Sequence, residues 1–249
     1  MNFNIKKPSH IFALLLLMVS IFLIFILPII TFVTIVNFPE LIESIGEISE
    51  STAIQSQLVI IATFILTPFV WYFIVDNLKI KEIFARIKLV SRNIDSALLW
   101  GILAMAFMFL IIFIIEFVLL KLGYDLEDLS NIPDIQGLFS LPTLFFIIAI
   151  QPIGEEIFFR GFLLEKIDSF AGEKMAILST AVLFGIAHMS YGKIYPVIMP
   201  ILIGIILGFV VFKTKNLYSA IIAHVIFNIT SLTFAVLGQD LLKQLTLIV

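Results

Sequence analysis

The stretch IFALLLLMVSIFLIFILPIITFVTIV, residues 11–36, decides the fold class, because none of its residues carries a charge. A helix needs about 20 mostly apolar residues to cross the hydrocarbon core of a bilayer. The stretch follows Lys6 and Lys7, as a signal sequence would. It is too long for a signal core and lacks a small-residue cleavage site, so it is predicted to be an uncleaved membrane anchor.

Six further apolar runs approach or exceed the length of a membrane-spanning helix. They lie at residues 57–75, 96–120, 139–164, 175–190, 195–212 and 217–238. The chain is 61% hydrophobic and 13% charged, with a mean hydropathy of +1.17, whereas soluble domains are about half apolar and a quarter charged. The composition therefore predicts an all-α polytopic membrane protein with about seven transmembrane helices in one bundle.

Several sequence features are absent from the 249 residues, and these absences predict the domain organisation and exclude some partners. The chain contains no Ser/Gly linker, charged tail or internal repeat, which predicts one membrane domain over 1–249, with N-terminal spans in 1–125 and a core in 138–235. The net charge is −3 without a basic patch, so nucleic acid is not an expected partner. Cysteine is absent, which excludes disulfides and thiolate ligands.

Lysine and arginine residues gather in alternate connecting segments. With a cytoplasmic N-terminus, the inner segments carry Lys6, Lys7, Lys79, Lys81, Arg86, Lys88, Arg92, Lys166, Lys174, Lys213 and Lys215. The outer segments carry only Lys121, Lys193 and Lys243. Because cytoplasmic loops are enriched in these residues, the N-terminus is predicted inside and the C-terminus outside. The Lys79–Arg92 segment mixes apolar and charged residues, as in a helix on the inner surface.

Three polar motifs interrupt the later apolar runs. They are Glu155-Glu156-x-x-x-Arg160, His188 and His224-x-x-x-Asn228. An ionisable group inside a bilayer is costly, so its default interpretation is a functional site. Residues four apart share a helix face, which predicts a Glu156–Arg160 ion pair and leaves Glu155 to face a cavity. The same spacing places His224 beside Asn228 and Phe184 beside His188.

Each motif also has a plain structural interpretation. The glutamate–arginine motif can be an interfacial charge cluster, and a lone histidine can simply satisfy a hydrogen bond in the core. The His224–Asn228 pair can join two helices. Together, however, the three motifs supply a base, imidazoles and an amide donor in separate spans, which favours a hydrolytic active site.

Counting helical rise predicts where that site lies. With Glu165, Lys174 and Lys215 as marks of the inner interface, 1.5 Å per residue puts Glu155 about 15 Å deep, His188 about 21 Å and His224 about 14 Å. The rough agreement predicts one shared, inward-facing catalytic cavity.

Other polar and small residues receive weaker assignments. Glu116 lies in an apolar run and is read as protonated or interfacial rather than catalytic. Gly204 and Gly208 form a Gly-x-x-x-Gly motif typical of helix packing. Pro152 and Gly154 precede the glutamates and indicate a kink that frees backbone groups near the site.

The ordered motifs Glu-Glu-x-x-x-Arg, Phe-x-x-x-His and His-x-x-x-Asn resemble those of the CPBP family of intramembrane proteases. That family includes the type II CAAX prenyl endopeptidases and bacterial relatives linked to bacteriocin immunity or peptide processing. The resemblance covers about residues 138–235. It implies that Glu155 and His188 activate water, that His224 and Asn228 form the oxyanion site, and that Glu156, Arg160 and Phe184 support them.

Metal dependence, the identity of the substrate and the class of protein stay open at this point. A metal-free glutamate mechanism is favoured on ligand economy, but Glu155, His188 and His224 are also a possible zinc set. The expected partner is a membrane-associated protein or peptide substrate in a lipid bilayer, with the bacterial plasma membrane as the expected location. A non-catalytic peptide-binding immunity or scaffold protein, or a transporter, is the alternative from another class.

Overall fold

A computed structural model describes residues 3–41, 49–124 and 139–246, with side chains described as far as residue 237. This part of the chain forms eight helices. They are α1 (Pro8–Asn37), α2 (Glu50–Ile74), α3 (Ile80–Arg86), α4 (Ile94–Lys121), α5 (Leu141–Ala171), α6 (Glu173–Ile186), α7 (Tyr195–Thr214) and α8 (Tyr218–Thr246). Short π-helical stretches occur inside α1 at Phe22–Ile26 and inside α5 at Ile157–Leu163.

Within the described residues, seven helices are long and apolar enough to cross a membrane, with α6 counted together with the turn Met189–Tyr191 that follows it. The predicted all-α fold and the seven predicted spans are therefore confirmed. Their bounds differ most at the start of α2 and at the ends of α5 and α8. α2 begins earlier than expected because the Ser49 hydroxyl caps it, accepting from the Thr52 N–H at 3.3 Å.

α5 continues to Ala171, beyond the predicted end at residue 164. Its charged last turns are stabilised by partners from other helices that the local sequence does not reveal. Glu165 binds Arg86 at 2.8 Å and accepts a hydrogen bond from the Tyr72 hydroxyl at 2.9 Å. The predicted run ended at residue 164 because hydropathy falls where these charged residues begin.

The segment predicted to form a helix on the membrane surface does so over Ile80–Arg86 only. The helix buries Ile83, and Ile87 is buried just beyond it, while most of its charged side chains are exposed. Lys88 follows with a φ of 60°, which ends the helix. The surface helix is thus shorter than the predicted Lys79–Arg92.

Contacts between helix termini define the two ends of the bundle. At one end Lys166 of α5 binds Asp76, just after α2, at 2.8 Å. The Leu217 N–H, between α7 and α8, donates to the Lys88 carbonyl at 2.9 Å. Every described lysine and arginine that the sequence assigned to the inner segments belongs to elements at this end, here called the basic end.

The opposite end is marked by contacts of the same kind. The Ser140 N–H, at the start of α5, donates to the Glu50 carboxylate at the start of α2, at 2.8 Å. Gly192, between α6 and α7, lies so close to α1 that a Cβ there would sit 2.7 Å from the Ile35 side chain. The spans therefore alternate in direction as the charge pattern predicted.

Small residues let the later helices approach closely. A Cβ at Gly204 of α7 would lie 2.9 Å from the Cα of Ala181 in α6, and one at Gly208 would lie 3.4 Å from the Ile177 side chain. The packing predicted for this Gly-x-x-x-Gly motif is confirmed. The close approach of α6 and α7 also places Phe184 of α6 and the Gly204 carbonyl of α7 beside Arg160.

The predicted orientation, with the basic end in the cytoplasm, can be tested directly because the chain contains no cysteine. Single cysteines at positions 45, 85, 130 and 242 are expected to react with an impermeant thiol reagent in intact cells at every position except 85. Labelling at residue 85 with protection at residue 45 would reverse the orientation.

Candidate active site

The two adjacent glutamates lie where the regular α-helical part of α5 gives way to its π-helical stretch. Their side chains diverge, as the helical spacing predicted. Glu156 is fully buried and binds Arg160, with Oε1 3.0 Å from Nη1. The expected ion pair is therefore present, and it lies in the interior rather than at an interface.

Arg160 is also fully buried, and other elements surround its guanidinium. One terminal nitrogen donates to the Gly204 carbonyl at 3.4 Å. The guanidinium carbon lies 4.4 Å from the centre of the Phe184 ring. A buried arginine of this kind requires its counter-ion, because an unpaired charge in low dielectric is strongly destabilising.

The histidine of α8 joins the glutamate pair. His224 Nδ1 lies 2.8 Å from the same Glu156 oxygen that binds Arg160, and His224 Nε2 lies 3.8 Å from Glu155 Oε2. His224 thus contacts both carboxylates. Helical spacing alone had paired it with Asn228.

Glu155 has a second neighbour on its own helix. The Gln151 side-chain N–H donates to Glu155 Oε1 at 2.8 Å. Only 5% of Glu155 is exposed, so its carboxylate has a defined orientation rather than a free one. One oxygen is held by Gln151 and the other points toward His224.

His188 lies just beyond the end of α6, where its Nδ1 is 2.8 Å from the Phe184 carbonyl. A carbonyl oxygen only accepts, so Nδ1 carries the proton and Nε2 of a neutral ring is left as an acceptor. Phe184 packs edge-on against both imidazoles, with ring centres 4.8 Å from His188 and 5.7 Å from His224. The predicted pairing of Phe184 with His188 is present.

A cavity of about 200 Å³ adjoins Glu155 and His188. Most of its other polar lining comes from Thr31 of α1, Gln57 of α2 and Tyr191 of the turn after α6. Neither His224 nor Asn228 lines the cavity. His224 contacts Glu155, which does line it. The side chain of Asn228 is half-buried.

The position of this cavity differs from the inward-facing one expected from depth counting. Its walls use the second half of α1, the first half of α2 and the turn after α6, which all lie toward the end opposite the basic end. The depth estimates assumed that each helix runs without interruption from the inner interface to its motif. His188, however, lies past the end of α6. With the basic end in the cytoplasm, the cavity belongs to the outer half of the bundle.

A zinc site of the kind found in hydrolases would need three protein ligands, here Glu155, His188 and His224. Within the described part of the chain, no group of three or more His, Cys, Asp or Glu side chains is arranged to hold a metal ion. The imidazole Nδ1 atoms contact Phe184 in one case and Glu156 in the other, which leaves the Nε2 atoms as the ring nitrogens that could bind a metal. As placed, however, Glu155, His188 and His224 are not grouped as a three-ligand zinc site.

Gln151 and Gln57 are among the polar cavity residues that were not singled out from the sequence. Gln151 lies four residues before Glu155, so the spacing rule used for the other motifs would have found it. Gln57 lies on a distant helix, and its Oε1 is buried without a hydrogen-bond partner in the described part of the chain. No local pattern links Gln57 to the glutamates.

Glu116 has a structural partner away from this site. The Tyr195 hydroxyl, at the start of α7, donates to Glu116 Oε1 at 2.8 Å. Neither residue lines the cavity next to Glu155. The hydrogen bond accounts for a carboxyl group in the apolar run of α4.

Comparison with known proteins gives a family match for one part of the chain. Residues 137–230 match the family described as Type II CAAX prenyl endopeptidase Rce1-like, and no curated protein or solved structure matches the chain. The matched segment contains the glutamate pair, Arg160, both histidines and Asn228. Residues 137–230 are therefore similar to an Rce1-like type II CAAX prenyl endopeptidase domain, and the described part of the chain has seven helices able to span a membrane.

Proposed function

We propose that the protein is an intramembrane endopeptidase that hydrolyses a peptide bond of a membrane-associated protein or peptide. The observation that supports this most strongly is the polar cavity at Glu155 and His188 inside an otherwise apolar bundle. Amide hydrolysis requires a base for water and donors for the tetrahedral oxyanion. Carboxylate, imidazole and amide groups of the right types surround this cavity or border it.

In the proposed reaction, Glu155 takes a proton from a water molecule as the water oxygen attacks the scissile carbonyl carbon. His188 accepts a hydrogen bond from that water through Nε2, because its Nδ1 is held by the Phe184 carbonyl. The proton on Glu155 then passes to the leaving nitrogen as the C–N bond breaks. The products are a carboxylic acid and an amine.

The oxyanion is assigned to His224 and Asn228. Glu156 supports this role because its contact with His224 Nδ1 fixes the ring and directs Nε2 toward Glu155. In this role the ring keeps its Nδ1–H on the Glu156 carboxylate and donates to the oxyanion from Nε2.

Gln57 is proposed to position the substrate. Its side-chain oxygen is buried at the cavity without a partner, and a buried acceptor left unpaired costs free energy. A backbone N–H of an extended substrate segment would satisfy it.

The loss of Asn228 tests the oxyanion assignment. Asn228→Ala is expected to lower kcat by about 10²–10³, the usual effect of removing one oxyanion donor, with little change in substrate binding. Single-turnover rates and substrate binding are measured side by side, with Asn37→Ala at the exposed end of α1 as a control. Unchanged kcat with weaker binding would assign Asn228 to recognition.

The function itself is tested with defined peptides in reconstituted bilayers. Purified protein is incubated with a membrane-anchored peptide library and with a Cys-a-a-X peptide in farnesylated and unmodified forms, and products are identified by mass spectrometry. Cleavage at a defined bond is expected, and the two Cys-a-a-X forms report whether a prenyl group is needed. Binding without cleavage of any peptide, unaffected by Glu155→Gln, would support the non-catalytic alternative.

Metal dependence is tested on the same preparation. The proposed mechanism uses the residues of the chain alone, so the active protein is expected to contain substoichiometric zinc by elemental analysis and to keep its activity in a chelator. Stoichiometric zinc whose removal abolishes cleavage would establish the zinc-dependent version of the protease.

A further inference from the structure

An apolar groove lies on the bundle surface away from the active site, between α4, α6 and α7. Its volume is about 520 Å³ and all of its lining residues are apolar. The floor is buried and includes Ala104, Ile206 and Val210, whereas the rims at Leu103, Phe107 and Phe209 are about half exposed. In a membrane-spanning helix bundle, a groove of this kind faces lipid acyl chains.

One end of the groove reaches the basic end of the bundle. Trp100 lines the groove near the start of α4, and Lys213 Nζ lies 5.3 Å from the centre of its ring. Lys88 and Lys215 lie at the same end of the bundle, each with its Nζ 4.9 Å from the centre of the ring of Phe212, the residue before Lys213. Lys88, Lys213 and Lys215 thus form a lysine cluster at the basic end, with Lys213 at the end of the groove.

The backbone holds this lysine cluster in place. The Asn216 side chain donates to the Val90 and Arg92 carbonyls at 2.9 and 2.8 Å, which ties the segment after α3 to the α7–α8 turn. Lys88 and Lys215 have φ values of 60° and 54°. Left-handed residues of this kind are common where helices end, as α3 and α7 do here.

The charges of the cluster are incompletely balanced. Burial lowers the pKa of Lys88, and the neighbouring Lys215 lowers it further, against weaker opposing effects of Asp168, Glu165 and Glu173. Lys213 and Lys215 are exposed and form no ion pair within the described residues. An anion at this point would offset the repulsion between the ammonium groups.

We propose that the groove and the lysine cluster bind an anionic phospholipid, with one acyl chain in the groove and the phosphate against Lys213. The ligand must carry an anionic group at the depth of the interface and a long apolar chain attached to it. A phospholipid has both. Basic pockets between transmembrane helices are known to take lipid headgroups. Lys88 and Lys215 supply the surrounding positive potential.

Trp100 reports on this site because the chain has only two tryptophans. The other, Trp71, is buried and is replaced in a full-length Trp71→Phe chain. This chain is reconstituted into phosphatidylcholine vesicles that contain a low mole fraction of dibrominated phosphatidylglycerol or of dibrominated phosphatidylcholine. Bromines on the acyl chains quench a nearby indole, so a titration of each probe gives its relative association constant.

The anionic probe is expected to be favoured by about fivefold for each lysine that contacts the phosphate. Lys213→Gln should remove most of the preference, and higher salt should reduce it. Lys121→Gln is the matched control, since Lys121 also lies over an aromatic ring of α4, at 5.5 Å from Phe117, but near the opposite end of that helix.

Equal quenching by the two probes would overturn the proposal, as would a preference that survives Lys213→Gln. Loss of the preference in Lys121→Gln would show a general charge effect and would also overturn it. Thermal unfolding of each variant verifies that it is folded. If Trp71→Phe does not fold, the native chain is compared with Trp100→Phe, and the difference gives the quenching at Trp100.

Discussion

Glu155→Gln is expected to reduce turnover by about 10²–10⁴, the usual contribution of a general base, and to leave substrate binding nearly unchanged. The amide of glutamine fills the same space and can keep contacts with Gln151 and His224. It cannot take a proton from water. The loss should therefore appear in kcat under single-turnover conditions, with normal thermal stability of the protein.

Glu116→Gln is the matched control for this experiment. Glu116 is a second carboxyl group in an apolar span, and it accepts a hydrogen bond from the Tyr195 hydroxyl at 2.8 Å. A glutamine oxygen can accept the same bond, so this variant should retain activity. Full activity of Glu155→Gln would end the assignment of Glu155 as the base, and equal losses in both variants would indicate a general effect of removing membrane carboxyl groups.

The second large effect concerns folding. Arg160→Ala is expected to destabilise the protein by about 3–5 kcal/mol, since it removes the guanidinium from the buried Glu156 carboxylate and leaves His224 Nδ1 as its remaining polar contact. Thermal unfolding in detergent or nanodiscs and the yield of folded protein measure the loss. Arg86→Ala is the control, because the Arg86 side chain is half exposed in its pair with Glu165 and exposed pairs contribute about 1 kcal/mol or less.

A double variant separates charge from packing. Arg160→Ala with Glu156→Gln removes both members of the pair, so the uncompensated charge disappears while the space left by the guanidinium remains. Stability should be restored in part, because the Phe184 ring still loses its contact with Arg160. A folded Arg160→Ala protein with normal thermal stability would contradict the energetic role given to the pair.

The sequence predicted the membrane fold well, because hydropathy depends on local composition. All seven predicted runs correspond to observed helices. The extension of α5 was missed, since Glu165 and Lys166 depend on Arg86 and Asp76 from elements far away in the chain. The division at residues 1–125 and 138–235 stays a prediction.

The candidate site was predicted only in part, because spacing rules, like hydropathy, use local sequence alone. Spacing within one helix gave the Glu156–Arg160 pair and the Phe184–His188 contact. It could not give the contacts of His224 with both glutamates, because these depend on how α8 packs against α5. It also gave no sign that α1 and α2, which carry no recognised motif, supply much of the cavity wall.

The central claim is that water, activated by Glu155, attacks the peptide bond directly. The most direct test is a single turnover in ¹⁸O-labelled water, followed by mass spectrometry of the product and of the peptide that contains Glu155. The proposed mechanism predicts one ¹⁸O in the new carboxylate of the product and none in Glu155. An unlabelled product carboxylate with ¹⁸O in Glu155 would contradict it, because that pattern arises only when Glu155 itself attacks the substrate.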